Sequence, residues 1–503
     1  MNSVIDFSKL AGLFVYSPDN PLQFGTLTFM FFLALGLLVY HAIYPNQRLR
    51  ATFLLLFSAF IYYKIGGLFL ILLLGVGVVN YFFGKILFGI ADTDKRRYVL
   101  WGMVILNVGL LAYFKYTNFV LSQIATLQET EFTALDIMLP IGISFYIFKV
   151  LSFLFDIYYE KYEELPRLDD FMLYVTFFGN IQAGPIDRAD EFIPQIKQNL
   201  LTSPEGKTST GLAVFYLASG IIKKLIIADY ISLNFITRVF EDPLRFTGAE
   251  NILAIYGYSI QIYFDFSGYS DMAVGMALLF GYKIIDNFNS PYKATSVADF
   301  WRRWHISLSR WLLDYLFTPM QMGLRNMKQY GNAIALIVTF AVCGLWHGAT
   351  WGFIIWGTVH GFIMGYSVLT KKLRAKGLMK VGVKEGGKVL NFVRGFITFN
   401  IITLTWIFFK VDSLDKIPMI YTQITENLHA VVFTQFYGGF PGVLIFFVIG
   451  LIIIFFPEGA KEKIKTGLMN MPFWAQGLVL GLVIYLASQI MMAEMVPPIY
   501  FEF

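Results

Sequence analysis

Residues 66–90 read GGLFLILLLGVGVVNYFFGKILFGI, and this run decides the fold class. Lys85 is its single charged side chain, and roughly 20 mostly apolar residues are enough for a transmembrane helix. About a dozen segments meet the same criterion. They lie near 24–43, 51–64, 66–90, 99–121, 138–159, 210–232, 251–280, 332–346, 350–369, 390–410, 440–456 and 473–492. The sequence therefore predicts an all-α polytopic membrane protein, a single domain over 1–503 with about 11 or 12 spans.

The composition of the 503 residues agrees with a membrane protein. Hydrophobic residues make up 57% and charged residues 15%, whereas soluble domains have roughly 45–50% and about 25%. The mean hydropathy is +0.61. Aromatic residues reach 18%, which is typical of a surface in contact with membrane lipids. The net charge of +5 is too small to indicate a nucleic-acid partner.

Two of the apolar segments depart from a simple span. The segment 51–64 is short, so we expect it to be tilted or partly re-entrant. The stretch 171–187 is apolar but is interrupted by Gly179, Gly184 and Pro185. Irregular backbone is tolerated at membrane depth only where protein or a wet cavity satisfies its polar groups. We interpret 171–187 as a re-entrant segment.

Basic residues fall in alternate loops. The loop 371–388 is rich in lysine and arginine, whereas the loop 122–137 has neither. Cytoplasmic loops of membrane proteins carry the excess of these residues. The pattern therefore predicts that both termini lie outside, and Met1–Leu10 does not read as a cleavable signal. The basic residues assigned to the cytoplasmic side are Arg48, Arg50, Lys95, Arg96, Arg97, Lys371, Lys372, Arg374, Lys376, Lys380, Lys384, Lys388, Lys461, Lys463 and Lys465.

Familiar catalytic and metal-binding motifs of soluble enzymes are missing. The chain has no Gly-x-Ser-x-Gly and no His-Glu-x-x-His, and its one cysteine, Cys343, excludes a cysteine-based metal cage. We therefore expect no metal site. Ionisable residues in apolar surroundings are expensive in a bilayer, and they are the functional candidates by default.

The first candidate stretch is residues 299–315, DFWRRWHISLSRWLLDY. It is amphipathic and dense in tryptophan and arginine, which is typical of an interfacial helix. Under that interpretation His305 faces lipid headgroups. The alternative is that His305 belongs to a functional site.

The second stretch is residues 343–351, CGLWHGATW, at the junction of two apolar segments. His347 is either a hydrogen-bonded core histidine at a helix break or a reactive group. Flanking glycines favour the second interpretation because they allow close approach to the imidazole. Histidine is also the side chain best suited to accept a proton near neutral pH. His360 lies about 20 Å further along if the helix is continuous, so it is not expected to share a reacting atom with His347.

The third stretch contains two acidic residues, Asp265 and Asp271, inside an apolar segment. Six residues apart, they do not share one face of a helix. We therefore expect them to pair with buried cations and to hold the helices together. The candidate partners are Lys223 and Lys224, with Asp229 in the same segment.

At this point the sequence resembles a known family. The pattern Phe300 to His305, followed about forty residues later by Leu345-Trp346-His347-Gly348, is similar to the membrane-bound O-acyltransferases. The bacterial branch that acetylates alginate is the most similar. Further matching stretches lie between 139 and 361, namely 139–146, 183–188, 223–229 and 263–271.

The resemblance implies helices around a central tunnel and acyl transfer from a thioester donor to a hydroxyl. It assigns His347 as the catalytic histidine and His305 as a second site residue. We add a set of substrate-binding candidates around them. These are Trp301, Arg302, Arg303, Trp304, Trp346 and Gly348.

The resemblance also implies partners and a location. We expect acetyl-CoA as co-substrate with no bound cofactor, an exopolysaccharide acceptor, and a periplasmic or extracellular acetyltransferase partner. The chain would then lie among the lipids of the bacterial cytoplasmic (inner) membrane as a multi-pass protein. The alternatives are D-alanyl transfer to teichoic acid from a carrier protein, and a polysaccharide channel or transporter without acyl chemistry. The basic loop 371–388 serves either to set topology or to attract an anionic donor.

Overall fold

A computed structural model describes residues 12–19, 21–197, 206–490 and 499, and the regular secondary structure in this part of the chain is all helical. The predicted all-α fold is confirmed. By internal packing the described residues divide into two compact units. The first combines the chain up to Val214 with Ala273–Ile285, and the second combines Phe215–Met272 with the chain from Asp286 onward.

The helices of the first part of the chain connect through short loops. They are α1 (Leu27–Ala42), α2 (Gln47–Gly66), α3 (Phe69–Gly89), α4 (Thr93–Leu127), α5 (Ile143–Tyr158), α6 (Leu168–Thr176), α7 (Ala189–Phe192), α8 (Pro194–Lys197) and α9 (Gly206–Ile221). Helix α9 continues through alternating π-helical and α-helical segments as far as Glu241: Ile222–Ala228, Asp229–Ile231, Ser232–Ile236 and Thr237–Glu241.

The remaining helices include several short segments between long ones. They are α10 (Gly248–Leu279), α11 (Val297–Trp301), α12 (Ile306–Leu312), α13 (Thr318–Gly323), α14 (Lys328–His347), α15 (Trp351–Leu369), α16 (Lys371–Lys380), α17 (Lys388–Lys410), α18 (Lys416–Glu426), α19 (Val432–Gly439), α20 (Pro441–Phe455), α21 (Glu458–Met469) and α22 (Phe473–Ile490). A π-helical segment, Leu313–Phe317, joins α12 to α13, and three 3₁₀ turns occur at Pro243–Arg245, Pro291–Lys293 and Arg325–Met327.

Eight helices in the described ranges are long and apolar enough to cross a membrane, or nine if the bent pair α19 and α20 forms one span. The sequence predicted about a dozen. Part of the difference comes from α1 and α5, which have 16 residues each. Helix α10 has 32 residues, but acidic side chains lower its hydropathy. Helix α2 covers 20 residues, so the prediction of a short second segment was wrong.

Polar side chains inside the first unit pair with one another. Asn80 of α3 and Asn107 of α4 exchange two amide hydrogen bonds of 3.0 and 2.8 Å. Beyond the end of α6, the side-chain oxygen of Asn180 accepts a hydrogen bond from Nζ of Lys149 in α5 at 2.6 Å, and Asn180 donates to Asp187 at 2.6 Å. Residues 177–188 are buried and irregular, and these bonds pair the side chains of Asn180 and Asp187 within them, as a re-entrant segment requires of its polar groups. Its depth in a membrane stays a prediction.

In the second unit, α14 and α15 form a helical hairpin through glycine contacts. A Cβ added to Gly344 would lie 2.2 Å from the carbonyl oxygen of Phe353, and one added to Gly357 would lie 2.2 Å from that of Phe340. Both distances are far below van der Waals contact, so only glycine allows the two backbones to come this close. The hairpin thereby brings the end of α14 beside the first turns of α15.

We predict that Gly357→Ala destabilises the hairpin, because the new methyl group forces the two backbones apart. Overpacking of this kind costs about 1–3 kcal/mol. The apparent Tm in detergent should fall. Gly102→Ala is the matched control, since its Cβ meets no atom within 4 Å in a helix of similar hydropathy. Equal Tm values for the two variants would contradict the close contact.

Candidate functional site

His347 is the last residue of α14, where the helix stops. Gly348 has extended backbone with φ −168° and ψ 160°, and α15 begins three residues later at Trp351. The predicted helix break at the glycine is therefore present. The space beside Gly348 is occupied by the ring of Phe353, since a Cβ on Gly348 would lie 2.2 Å from that ring. His347 is 2% exposed.

Aromatic rings surround the imidazole of His347. Ring centroids lie 5.0 Å away for Trp346, 5.2 Å for Trp356 and 5.3 Å for Phe409, all at steep angles. The imidazole of His305 is 6.4 Å away. These walls keep bulk water away from both histidines, and hydrogen bonds and charges act more strongly in such a site than in water.

His305 lies between two short helices and is fully buried. Its backbone is left-handed, with φ 45° and ψ 54°, at the position where α12 begins. Its ring packs 4.7 Å from Phe266. The interpretation of 299–315 as one interfacial helix with a headgroup-facing histidine was wrong, because the chain leaves the helix after Trp301 and turns His305 inward.

Asn287 is the site residue that the sequence did not reveal. Its side-chain oxygen accepts hydrogen bonds from the backbone N–H of Ser307 at 3.1 Å and from the Ser307 hydroxyl at 2.8 Å. The same oxygen lies 3.3 Å from Nδ1 of His305. Its backbone carbonyl accepts from the N–H of Ile306 at 2.9 Å. Asn287 therefore binds His305 and the two residues that follow it.

His360 is a core histidine with both ring nitrogens engaged. The indole N–H of Trp301 donates to Nδ1 at 3.1 Å, and Nε2 lies 3.0 Å from the hydroxyl of Thr405. Because Nδ1 accepts, the proton is on Nε2 and is donated to Thr405. His360 packs 5.1 Å from Trp356, which also contacts His347. The expected separation of about 20 Å between His347 and His360 assumed one continuous helix. The helix is broken after His347, so that value does not apply.

Besides Gly348, the predicted substrate-binding residues fall into two groups. Trp301, Trp304 and Trp346 are buried in the aromatic cluster around the histidines. Arg302 and Arg303 instead pair with Asp299, at 3.5 and 3.1 Å. The Arg302 side chain is 73% exposed. A role for any of these residues in substrate binding stays a prediction.

Comparison with known proteins decides the family. A sequence profile of the membrane-bound O-acyltransferase family matches residues 22–409. The chain belongs to the membrane-bound O-acyltransferase family. It is 35% identical over 428 residues to the peptidoglycan O-acetyltransferase of Helicobacter pylori, covering 78% of each protein. It is 35% identical over 393 residues to the probable alginate O-acetylase AlgI of Pseudomonas aeruginosa, covering 76% of this chain and 71% of the relative.

Another relative, matched over a shorter length, is named for a different activity. The teichoic acid D-alanyltransferase of Bacillus subtilis is 32% identical over 233 residues, which cover 44% of this chain and 58% of the relative. Family membership confirms the predicted resemblance, the multi-pass all-α fold and the enzyme class, an O-acyltransferase. Membership therefore favours acyl chemistry over the channel or transporter alternative.

The buried charges of this O-acyltransferase pair as the sequence suggested. Lys224 contacts both Asp265 and Asp229, the latter at 2.7 Å. Lys223 binds Asp271 at 2.6 Å. Lys224 and Asp265 are almost fully enclosed, whereas the side chains of Lys223 and Asp271 are 12% and 18% exposed. Lys224 therefore connects α10 to the π-helical region that follows α9. Within the described ranges, no group of three His, Cys, Asp or Glu residues has the arrangement of a metal site.

We predict that Lys224→Met destabilises the protein severely, because it leaves two acidic groups buried without their cation. Breaking a buried ion pair typically costs about 3–5 kcal/mol. Membrane yield and apparent Tm should both fall. Lys223→Met is the control, and we expect a smaller loss because its partner Asp271 is less enclosed and still accepts a hydrogen bond from the Ser219 hydroxyl at 2.7 Å. A larger effect of the control would show that the Lys224 contacts do not stabilise the helices.

Proposed function

We propose that the chain transfers an acetyl group from a cytoplasmic thioester, with acetyl-CoA the first candidate, toward hydroxyl groups of a polysaccharide outside the cytoplasmic membrane. The observation that carries the proposal is the buried pair His305 and His347, with rings 6.4 Å apart inside an aromatic enclosure. Relatives named for acetylation of alginate and of peptidoglycan, each 35% identical, support acetyl as the acyl group.

In the proposed reaction His347 is the general base. A sugar hydroxyl is a weak nucleophile at neutral pH and needs a base within hydrogen-bond reach. The imidazole takes the hydroxyl proton while the oxygen attacks the thioester carbonyl carbon. The carbonyl then re-forms, the carbon–sulfur bond breaks, and the thiolate leaves with the proton from the imidazolium. The products are an O-acetyl ester and a free thiol.

The developing oxyanion requires a hydrogen-bond donor that is already in place. Trp356 is suited to this role, because its ring lies 5.2 Å from that of His347 and is fully buried. Its indole N–H has no acceptor among the described residues. Stacking on Trp406 at 5.5 Å and contact with Phe409 hold the ring in one orientation. We therefore add Trp356 to the oxyanion candidates, which are otherwise His305, Trp304 and the backbone N–H groups around Gly344 or Gly348.

The basic loop supports a cytoplasmic donor that is negatively charged. Helix α16, which forms the first part of the basic loop 371–388, has no buried residue, so its lysines and arginine lie on the surface. An exposed cluster of one sign raises the local concentration of an oppositely charged ligand such as acetyl-CoA. The same residues are also sufficient to orient the protein in the membrane. Both roles require that α16 lies on the cytoplasmic side.

D-alanyl transfer to teichoic acid from a carrier protein is the second candidate function. The 32% identity to a teichoic acid D-alanyltransferase favours it, but over a smaller share of the chain. Supplying labelled acetyl-CoA and labelled aminoacyl carrier protein separately distinguishes the two. The same assay, with and without an exported acetyltransferase from the same cell, tests whether a partner completes the transfer to the polymer.

We predict that His347→Ala lowers acetyl transfer by about 10²–10⁴-fold, the usual contribution of a general base. The measurement is release of free thiol from acetyl-CoA, together with labelled polysaccharide, by purified protein in liposomes. His41→Ala is the control and should keep wild-type activity, because that side chain is exposed. Turnover near wild type in a folded His347→Ala protein would refute the assignment.

We predict that Trp356→Phe lowers kcat by roughly 10²–10³-fold, as expected for loss of one oxyanion donor. KM should change little, since phenylalanine keeps an aromatic ring at this position while the five-membered ring with its N–H is removed. Trp351→Phe on the same helix is the matched control, because its indole is 50% exposed. A wild-type kcat for Trp356→Phe would assign the oxyanion to another donor.

A further inference from the structure

The contacts of Asn287 determine which of its side-chain atoms is the oxygen. An asparagine amide can be placed in either of two orientations, and only its hydrogen bonds distinguish them. The backbone N–H of Ser307 can only donate, and it points at Oδ1 from 3.1 Å. Oδ1 is therefore an acceptor, and Nδ2 faces the hydroxyl of Ser270 at 3.4 Å.

This orientation fixes the protonation of His305. Because Oδ1 has no proton to give, the contact of 3.3 Å requires that Nδ1 of His305 carries one. His305 lies outside the candidate spans, and burial among aromatic rings lowers the pKa of its imidazole to about 3. The ring is therefore neutral, and a neutral imidazole with its proton on Nδ1 has a lone pair on Nε2.

We propose that Asn287 is a positioning residue, which holds His305 with the proton on Nδ1 so that Nε2 accepts a hydrogen bond during acyl transfer. The role in catalysis rests on the proposed function. Neutral His305 in this form has no N–H left to stabilise the oxyanion. The tautomer therefore leaves that task to a donor such as Trp356.

The backbone around His305 supports the positioning role. A residue other than glycine in the left-handed region is strained and needs its surroundings to hold it there. Asn287 supplies acceptors to the next two residues, through its carbonyl to Ile306 and through its amide oxygen to Ser307. These bonds hold the turn that directs the His305 ring toward His347.

The direct test is the tautomer of His305 in the intact wild-type protein. The chain has only five histidines, so ¹⁵N-labelled histidine gives few signals in NMR, and His305→Gln identifies the signals of His305 by their loss. We expect a protonated Nδ1 and an unprotonated Nε2 at neutral pH. A proton on Nε2, or a doubly protonated ring, overturns the proposal whatever the activity.

Substitutions of Asn287 test the consequence for catalysis. Asn287→Leu removes the acceptor, so we expect kcat to fall about 100-fold or more with little change in KM for acetyl-CoA; a wrong histidine tautomer costs about 10⁴-fold in a serine protease. Asn287→Asp keeps an acceptor at the same place and should restore the Nδ1–H signal and most of the activity. Ser307→Ala is the control, because it removes one bond to Oδ1 but not the bond to His305.

The outcomes separate this proposal from the proposed function. If Asn287→Leu does not fold, the Asn287→Asp protein and the wild-type spectrum still decide. Loss of activity in Asn287→Asp with the Nδ1–H signal retained would overturn the catalytic role of the tautomer. If wild-type protein transfers no acetyl group while the Nδ1–H signal is present, the proposed function fails and the tautomer assignment stands.

Discussion

The close contact between α14 and α15 is the constraint on which the site depends. Glycines at 344 and 357 let the backbones meet where any side chain would collide with a carbonyl oxygen. Because the helices are this close, His347 at the end of one and Trp356 on the other can touch. A wider hairpin would open the aromatic enclosure and admit water. Precise placement of a base and a donor, rather than an unusual group, is what acyl transfer requires.

Buried polar groups around this hairpin are satisfied in three distinct ways. His360 is bound on both nitrogens and keeps Trp301 and Trp356 in place. Lys224 is enclosed by two carboxylates and joins neighbouring helical segments. His305 is bound at Nδ1 by Asn287. His360 uses both ring nitrogens and Lys224 binds two carboxylates to hold the fold, whereas the contact with Asn287 sets which nitrogen of His305 carries the proton.

The eight long apolar helices of the described ranges and the break at His347 were predictable, because hydrophobic runs and a flanking glycine are local signals. The pairing of Lys223 and Lys224 with acidic residues also followed from the cost of isolated charges in a membrane. The inward turn of His305 was not predictable, since an amphipathic pattern with helical spacing continues through it. Asn287 lies eighteen residues earlier in a segment with no periodicity, so only folding reveals its contact. The spacing of Asp299 to Arg302 and Arg303, three and four residues apart, could have shown that these arginines already have a partner.

The most direct measurement is a cryo-EM structure of the full chain in a lipid nanodisc with an unreactive acetyl-CoA analogue, whose sulfur is joined to the acetyl group through an extra methylene. The account predicts that its carbonyl lies within the aromatic enclosure, with the carbon facing His347 and the oxygen within hydrogen-bond reach of the Trp356 indole. The enclosure must open to admit it, with the nucleotide part on the side of α16. An acetyl group bound away from the two histidines would contradict the central claim that this pair performs the transfer.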